Sequence, residues 1–269
     1  TVGSRGIPSI PVLVRTMCDK LKEWGAEPFI IPAMGSHGGA TAEGQVEILK
    51  NLGITAESIG CPVLSSMETV KISRAEGREG MEGFDVCIDK NAFEADGIIV
   101  LNRVKAHTSF QGPYESGLMK MLTIGLGKQY GAHICHAGGD DNMSERIGLN
   151  GREVIKHANV VMGVALIENA FDKTNGVFVM PGEEIPLKEP EILQKAKKSM
   201  GRIWFDSCDV LIVEEIGKNF TGAGMDPNVV GRCVNTKLKM GIDAQRIGIF
   251  GLSAESHGNA TGMGRADLA

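Results

Sequence analysis

Pro28-Phe-Ile-Ile-Pro-Ala-Met-Gly-Ser-His-Gly-Gly39 reads as a short buried strand, ending at Pro32, that runs into a glycine-rich turn. Upstream, Ile10 to Trp24 carries apolar residues at Val12, Val14, Met17, Cys18, Leu21 and Trp24, the spacing of an amphipathic helix, and Gly25 suits its cap. Downstream, Thr41 suits the N-cap of a helix through Val46, Leu49 and Leu52, closed by Gly53. Helix, strand and helix within 53 residues predict an α/β fold. Phe84 to Ile88 and Gly97 to Leu101 are further strands, the second an apolar run typical of a sheet buried on both faces. Gly163 to Ile167 and Val177 to Met180 flank Asn175-Gly176, which predicts an antiparallel hairpin turning there. A charged helix from Glu191 to Met200 leads to strands Asp209 to Val213 and Arg246 to Phe250. The pattern predicts two α/β lobes, residues 1–204 and 205–269, with a cofactor and substrate cleft between them.

The formal charge of −5 and the lack of any Lys/Arg run longer than two leave no footprint for a polyphosphate backbone, so nucleic acid is not expected as a partner. No apolar stretch nears the roughly 18 residues of a membrane span. The six cysteines are scattered with no C-x-x-C pair, which predicts reduced thiols and a cytoplasmic setting. The 36 glycines are about twice the usual share, so many backbone positions need positive φ or a close approach. The chain opens at Thr1 and stops at Ala269 just after a glycine-rich turn, so both ends read as cut and the second lobe as truncated.

Four groups of residues could carry chemistry. His37 sits in the turn at the carboxyl end of a strand, where open α/β sheets bind ligands; a plain surface turn is the other reading. In Asn102-Arg-Val-Lys-Ala-His107, Arg103, Lys105 and His107 share one face if the chain stays extended, or else they are solvated basics at a strand end. Gly112 to Gly127 reads as a helix with Pro113 in its first turn, and Lys120 is the only charge between residues 116 and 127. Such a lysine must snorkel, pair or be chemically altered. His133 and His136, three apart, can meet on one helical turn and could ligate a metal. Gly125-Leu-Gly127 opens no dinucleotide fingerprint, and Leu122 and Gln129 break a Walker A reading of Gly127-Lys128. No G-x-S-x-G elbow accompanies Ser36 or Ser109, which excludes a typical serine hydrolase.

Taken together, Ser4-Arg5, Gly35-x-His37, His107, Lys120 and His136 occur in the order and at nearly the spacing seen in the lactate racemase family, the nickel-pincer-nucleotide enzymes. The chain resembles that family's 2-hydroxyacid racemase-like branch over most of its length, most strongly from Thr1 to about Gly138. The resemblance implies that residues 1–204 form the catalytic domain. It also implies the cofactor, nickel in a pyridinium-3,5-bisthiocarboxylic acid mononucleotide (the nickel-pincer nucleotide), joined to a lysine through a thioamide. By position it makes Lys120 the tether, His136 the nickel ligand, and Gly38 and Ser116 further cofactor contacts. His37 and His107 match the two catalytic bases, and Arg5, with Arg103, the grip on a substrate carboxylate. The implied activity is that of an isomerase, a racemase or epimerase acting on a small-molecule 2-hydroxy acid. Its Cα hydrogen is very weakly acidic, and moving it as hydride avoids a carbanion beside a carboxylate.

This sequence departs from the family pattern in places. Val2 stands where an acidic residue often precedes the arginine, and the interval from His107 to Lys120 is a few residues longer than in the lactate enzyme. Gly231 takes the place of the glutamine that holds lactate, and no lysine matches nearby. Lactate is therefore not the expected substrate; Arg232 or Lys218 could supply a replacement cation, with Gly231 leaving space for a bulkier acid. Two other functions stay open: a cofactor-dependent 2-hydroxyacid oxidoreductase, and a non-enzymatic binder of small anions on the same fold.

Overall fold

A computed structural model describes residues 1–7 and 9–269 as a mixed α/β protein. The residues group into two compact units, Thr1–Lys105 with Gly112–Ser199, and Ala106–Gln111 with Met200–Ala269.

The larger unit begins with helix α1 (Ile10–Glu23), which buries Ile10, Val14 and Cys18, one residue per turn along a single stripe. Val12 and Trp24 are 69% and 77% exposed, so the apolar face is narrower than the sequence suggested. Residues 28–32 are extended but form single parallel bridges, Ile30 with Val63 and Val2 with Pro32, rather than a long ladder. Prolines at both ends remove the amides a ladder would need. Helix α2 (Ala42–Asn51) starts where expected, with Thr41 Oγ1 accepting from Gly44 N at 3.0 Å. A short helix α3 (Ala56–Ile59) follows. Strands β1 (Thr69–Ala75) and β2 (Phe84–Asp89) pair antiparallel. Asp89 ends β2 and caps α4 (Lys90–Glu94) through Ala92 N, 3.0 Å away.

Strand β3 (Ile98–Arg103) leads to the segment expected to be one helix from Pro113. The helix starts only at α5 (Leu118–Lys120), continues as a π-turn over Met121–Gly125, and resumes as α6 (Lys128–His136). Ser116 instead exchanges main-chain hydrogen bonds with Lys105, which keeps residues before Gly117 extended. Helix α7 (Met143–His157) returns the chain to β4 (Val160–Glu168), parallel to β3. Strand β5 (Thr174–Pro181) completes the hairpin with β4, and α8 (Ile185–Ser199) closes the unit. The hairpin forms as expected, but its turn does not lie at Asn175-Gly176, which fall inside β5. Asn169 turns the chain instead: its Oδ1 accepts from Phe171 N at 3.0 Å and Lys173 N at 3.1 Å. That side-chain turn outcompetes the dipeptide signal.

In the smaller unit β6 (Ser207–Ile216) and β7 (Asp243–Leu252) pair in parallel, with α9 (Pro227–Val230) between them in sequence. Its core holds Ile216, Met225, Val230, Ile242, Ile247 and Ile249. Residues 106–111 join it where Asn228 Nδ2 donates to His107 O at 2.9 Å. Among the described residues no helix is long and apolar enough to cross a membrane.

Gly231 does not leave room for substrate, as its sequence position suggested. Its φ is +79° and a Cβ would collide with Ile242 O, so packing demands glycine. Gly231→Ala is expected to cost at least about 2 kcal/mol by urea unfolding, from left-handed strain plus the clash. Wild-type stability in that variant would contradict the turn described here.

Candidate functional site

The glycine-rich turn takes its shape from three positive φ angles, +60° at Gly35, +67° at Gly38 and +65° at Gly39. A Cβ on Gly38 would press on the Gly44 and Gln45 backbone at 2.6–2.7 Å, so this glycine answers to packing as well as to any ligand. Gly35 N donates to Gly125 O at 3.1 Å, which fastens the turn to the Lys120-bearing segment. His37 projects as an exposed residue at the head of the turn, its Nδ1 hydrogen-bonded to Ser4 Oγ. Ser4 and Arg5 therefore stand beside His37, although 33 residues separate Ser4 from it.

Lys120 is half-buried at the end of α5. Loss of water, then the positive charges of Lys105 and Arg5, lower its pKa to about 8, with Asp140 opposing. His136, exposed at the end of α6, is also lowered, by partial desolvation first and then by the charge of Lys120. Arg5, Lys105, Lys120, His136 and Asp140 thus share one electrostatic neighbourhood of the larger unit. A neutral imidazole is the form that binds a metal, and a partly neutral amine is the form that can be acylated. His133 is exposed on the same helix. Among the described residues no cluster of three or more His, Cys, Asp or Glu could hold a metal, so His136 offers one donor and not a complete site.

Arg103, Lys105 and His107 do not lie on one continuous strand. Strand β3 stops at Arg103, Lys105 pairs with Ser116, and His107 belongs to the smaller unit. Arg103 is ion-paired with Glu168. The His107 ring stacks on Phe110 with centroids 4.0 Å apart. Ser109 N donates to its Nδ1 at 3.2 Å, which leaves the proton of the neutral ring on Nε2. Arg232, considered from sequence as a replacement cation, is hydrogen-bonded to Asp267 at 2.9 Å and to the carbonyls of Ala244 and Gln245.

Two buried polar groups escaped the sequence reading. Lys128 is fully buried at the start of α6, 3.1 Å from Asp89 Oδ2. Glu189 is fully buried on α8 and accepts from Met119 N at 2.8 Å and from the Leu118 amide, so it caps the segment that carries Lys120. A Cβ on Gly117 would strike that carboxylate, which is why glycine stands there.

The fold is mixed α/β, and its glycine-rich turn, which carries His37, is fastened to the Lys120-bearing segment through Gly35 N and Gly125 O. The family described as a domain of unknown function (DUF362) matches residues 3–180, and the chain belongs to it. No curated protein matches the chain. In fold it is similar to a Thermotoga maritima protein of known crystal structure, at 15% identity and a TM-score of 0.66 over 91% of this chain and 63% of that one. It is also similar to the lactate racemase apoprotein of Thermoanaerobacterium thermosaccharolyticum, at 15% identity and a TM-score of 0.53 over 79% of this chain and 50% of that one. The chain therefore spans less than two thirds of the length of either protein. At such identity the likeness is one of fold, and it agrees with the α/β fold read from the sequence.

Burial pushes the Glu189 carboxyl up from 4.5 to about 7, while the Met119 and Leu118 amides oppose it. The folded protein then binds a proton more tightly than the unfolded chain, so stability falls as pH rises from about 4.5 to about 7. The full swing is about 3 kcal/mol. Glu189→Gln, whose carbonyl can still accept from Met119 N, is expected to flatten that component of a Tm–pH profile. A profile parallel to the wild type would show that Glu189 titrates normally.

Proposed function

We propose that the protein is a racemase or epimerase of a 2-hydroxy acid, working with a nickel-pincer nucleotide tethered to Lys120. The observation that carries this reading is Lys120 itself, an amine drawn toward neutrality by burial and by two cations, with His136 close enough to feel its charge. Converting that amine to an amide-type linkage removes a charge that its surroundings penalise. The likeness in fold to a lactate racemase apoprotein supports the same class of chemistry. When bound, the group would supply a reversible acceptor for the substrate's Cα hydride, with nickel taking its other donors from the nucleotide.

The chain's own residues would do the rest. Arg5, exposed beside the His37 turn, would grip the carboxylate through two parallel hydrogen bonds. His37 would take the hydroxyl proton, with Ser4 fixing its ring through Nδ1. His107 is proposed as the second acid–base group from its sequence match. Each positioned base is worth about 10²- to 10⁴-fold in rate.

The test is intact mass and peptide mapping of protein made in a host that synthesises the pincer nucleotide, alongside a nickel assay. The expected result is a nickel-bearing adduct on Lys120, absent from Lys120→Ala. His136→Ala should keep the adduct and lose nickel, whereas His133→Ala should keep both. An unmodified Lys120 without nickel, from a host that loads a control racemase, would overturn the proposal. With loaded protein, inversion of a 2-hydroxy acid without build-up of the 2-oxo acid is expected; net oxidation would make it an oxidoreductase instead.

A further inference from the structure

We infer that Gln45 and Lys128 are positioning residues for His37, acting through the polarity of one buried amide. Lys128, Gln45 and Asp89 are each fully buried. Lys128 Nζ donates to Pro32 O at 2.6 Å and to Gln45 Oε1 at 3.2 Å, with Asp89 Oδ2 3.1 Å away as its counter-charge. An ammonium group can only donate, so it fixes which end of the Gln45 amide faces it. The oxygen turns inward and the NH₂ is left pointing at the turn. There it donates to Gly35 O at 2.9 Å and to His37 O at 3.3 Å, the carbonyls on either side of Ser36.

One lysine charge thereby decides that both carbonyls flanking Ser36, one of them the histidine's own, meet a donor. The Lys128 backbone is itself held at φ +54°, unusual for a non-glycine residue, which shows how strongly its surroundings determine it. Neither Gln45 nor Lys128 reaches solvent, so neither touches a substrate. Their influence on chemistry passes through the main chain of residues 35–37, and the proposal rests on His37 being a base in the reaction inferred above.

The discriminating variant is Gln45→Glu. It gives Lys128 a second carboxylate and keeps the side chain's size, but sets an acceptor against two carbonyl oxygens. In the apo protein, exchange of the Gly35, His37 and Ala40 amides should quicken about ten-fold or more, since local opening governs such exchange. The NMR signals of the His37 ring should shift or broaden. In loaded enzyme turnover should drop by about 10²-fold with little change in KM, because a misplaced group costs rate rather than binding. Gln45→Met, lacking both polar ends, should loosen the same amides and serves if the glutamate variant folds poorly. Unchanged exchange and unchanged His37 signals in the folded variants would overturn the inference. A loosened turn in the variants, with no inversion by loaded wild-type protein, would leave the positioning intact and refute the racemase reading alone.

Discussion

The larger unit is organised around a lysine that has no access to water. Removing an ammonium and a carboxylate from water costs several kcal/mol for each ion, and their attraction repays this only when further acceptors complete the geometry. Lys128 obtains those acceptors from residues 32, 45 and 89, which lie on three separate stretches of the chain. Asp89 is in turn fixed at the end of β2, where its amide donates to Leu126 O at 2.7 Å and its carboxylate caps α4. A displacement of α2, α6 or β2 would strand a charge or an amide in the interior. Removing one partner of such a pair typically costs 3–5 kcal/mol, well above a surface ion pair.

A second buried group does for Lys120 what this pair does for His37. Glu189 accepts from the first amides of α5, so a helix only three residues long begins at a defined point. Gly117 has no side chain because the carboxylate occupies that space. The π-turn that follows carries the chain to Gly125, whose carbonyl receives the Gly35 amide. The two candidate site elements are thereby joined by a main-chain hydrogen bond and oriented from behind by buried polar side chains. Rigid support of that kind is what a site needs when its exposed residues come from distant parts of the sequence.

Local signals made part of this legible in the sequence. Helices α1 and α2 announce themselves by spacing and caps, and β2, β3, β6 and β7 by apolar runs. Strand β1 was missed because Lys71 and Arg74 break its apolar pattern and it leans on β2 and α7 for cover. The hairpin turn was misplaced because Asn-Gly is a strong local signal, yet the Asn169 side chain closes a longer loop. Lys128 was weighed only as part of a failed phosphate-binding motif. Its partners lie 96, 83 and 39 residues away, so no window around Gly127 could expose its role. His37, Lys120 and His136 were visible as residues out of keeping with their neighbours; what surrounds them was not.

Two lysines eight residues apart show how one short segment can specify opposite chemistry. Burial pulls both amines down, but their neighbours differ in sign. Asp89, 3.1 Å away, resists the loss of charge on Lys128. Lys105 and Arg5 add to the loss on Lys120, whose pKa falls to about 8. The first arrangement suits a structural pivot, because its energy depends on partners that cannot move. The second suits a group whose charge is to be given up. This contrast of environment supports the tether proposed at Lys120 from its place in the sequence.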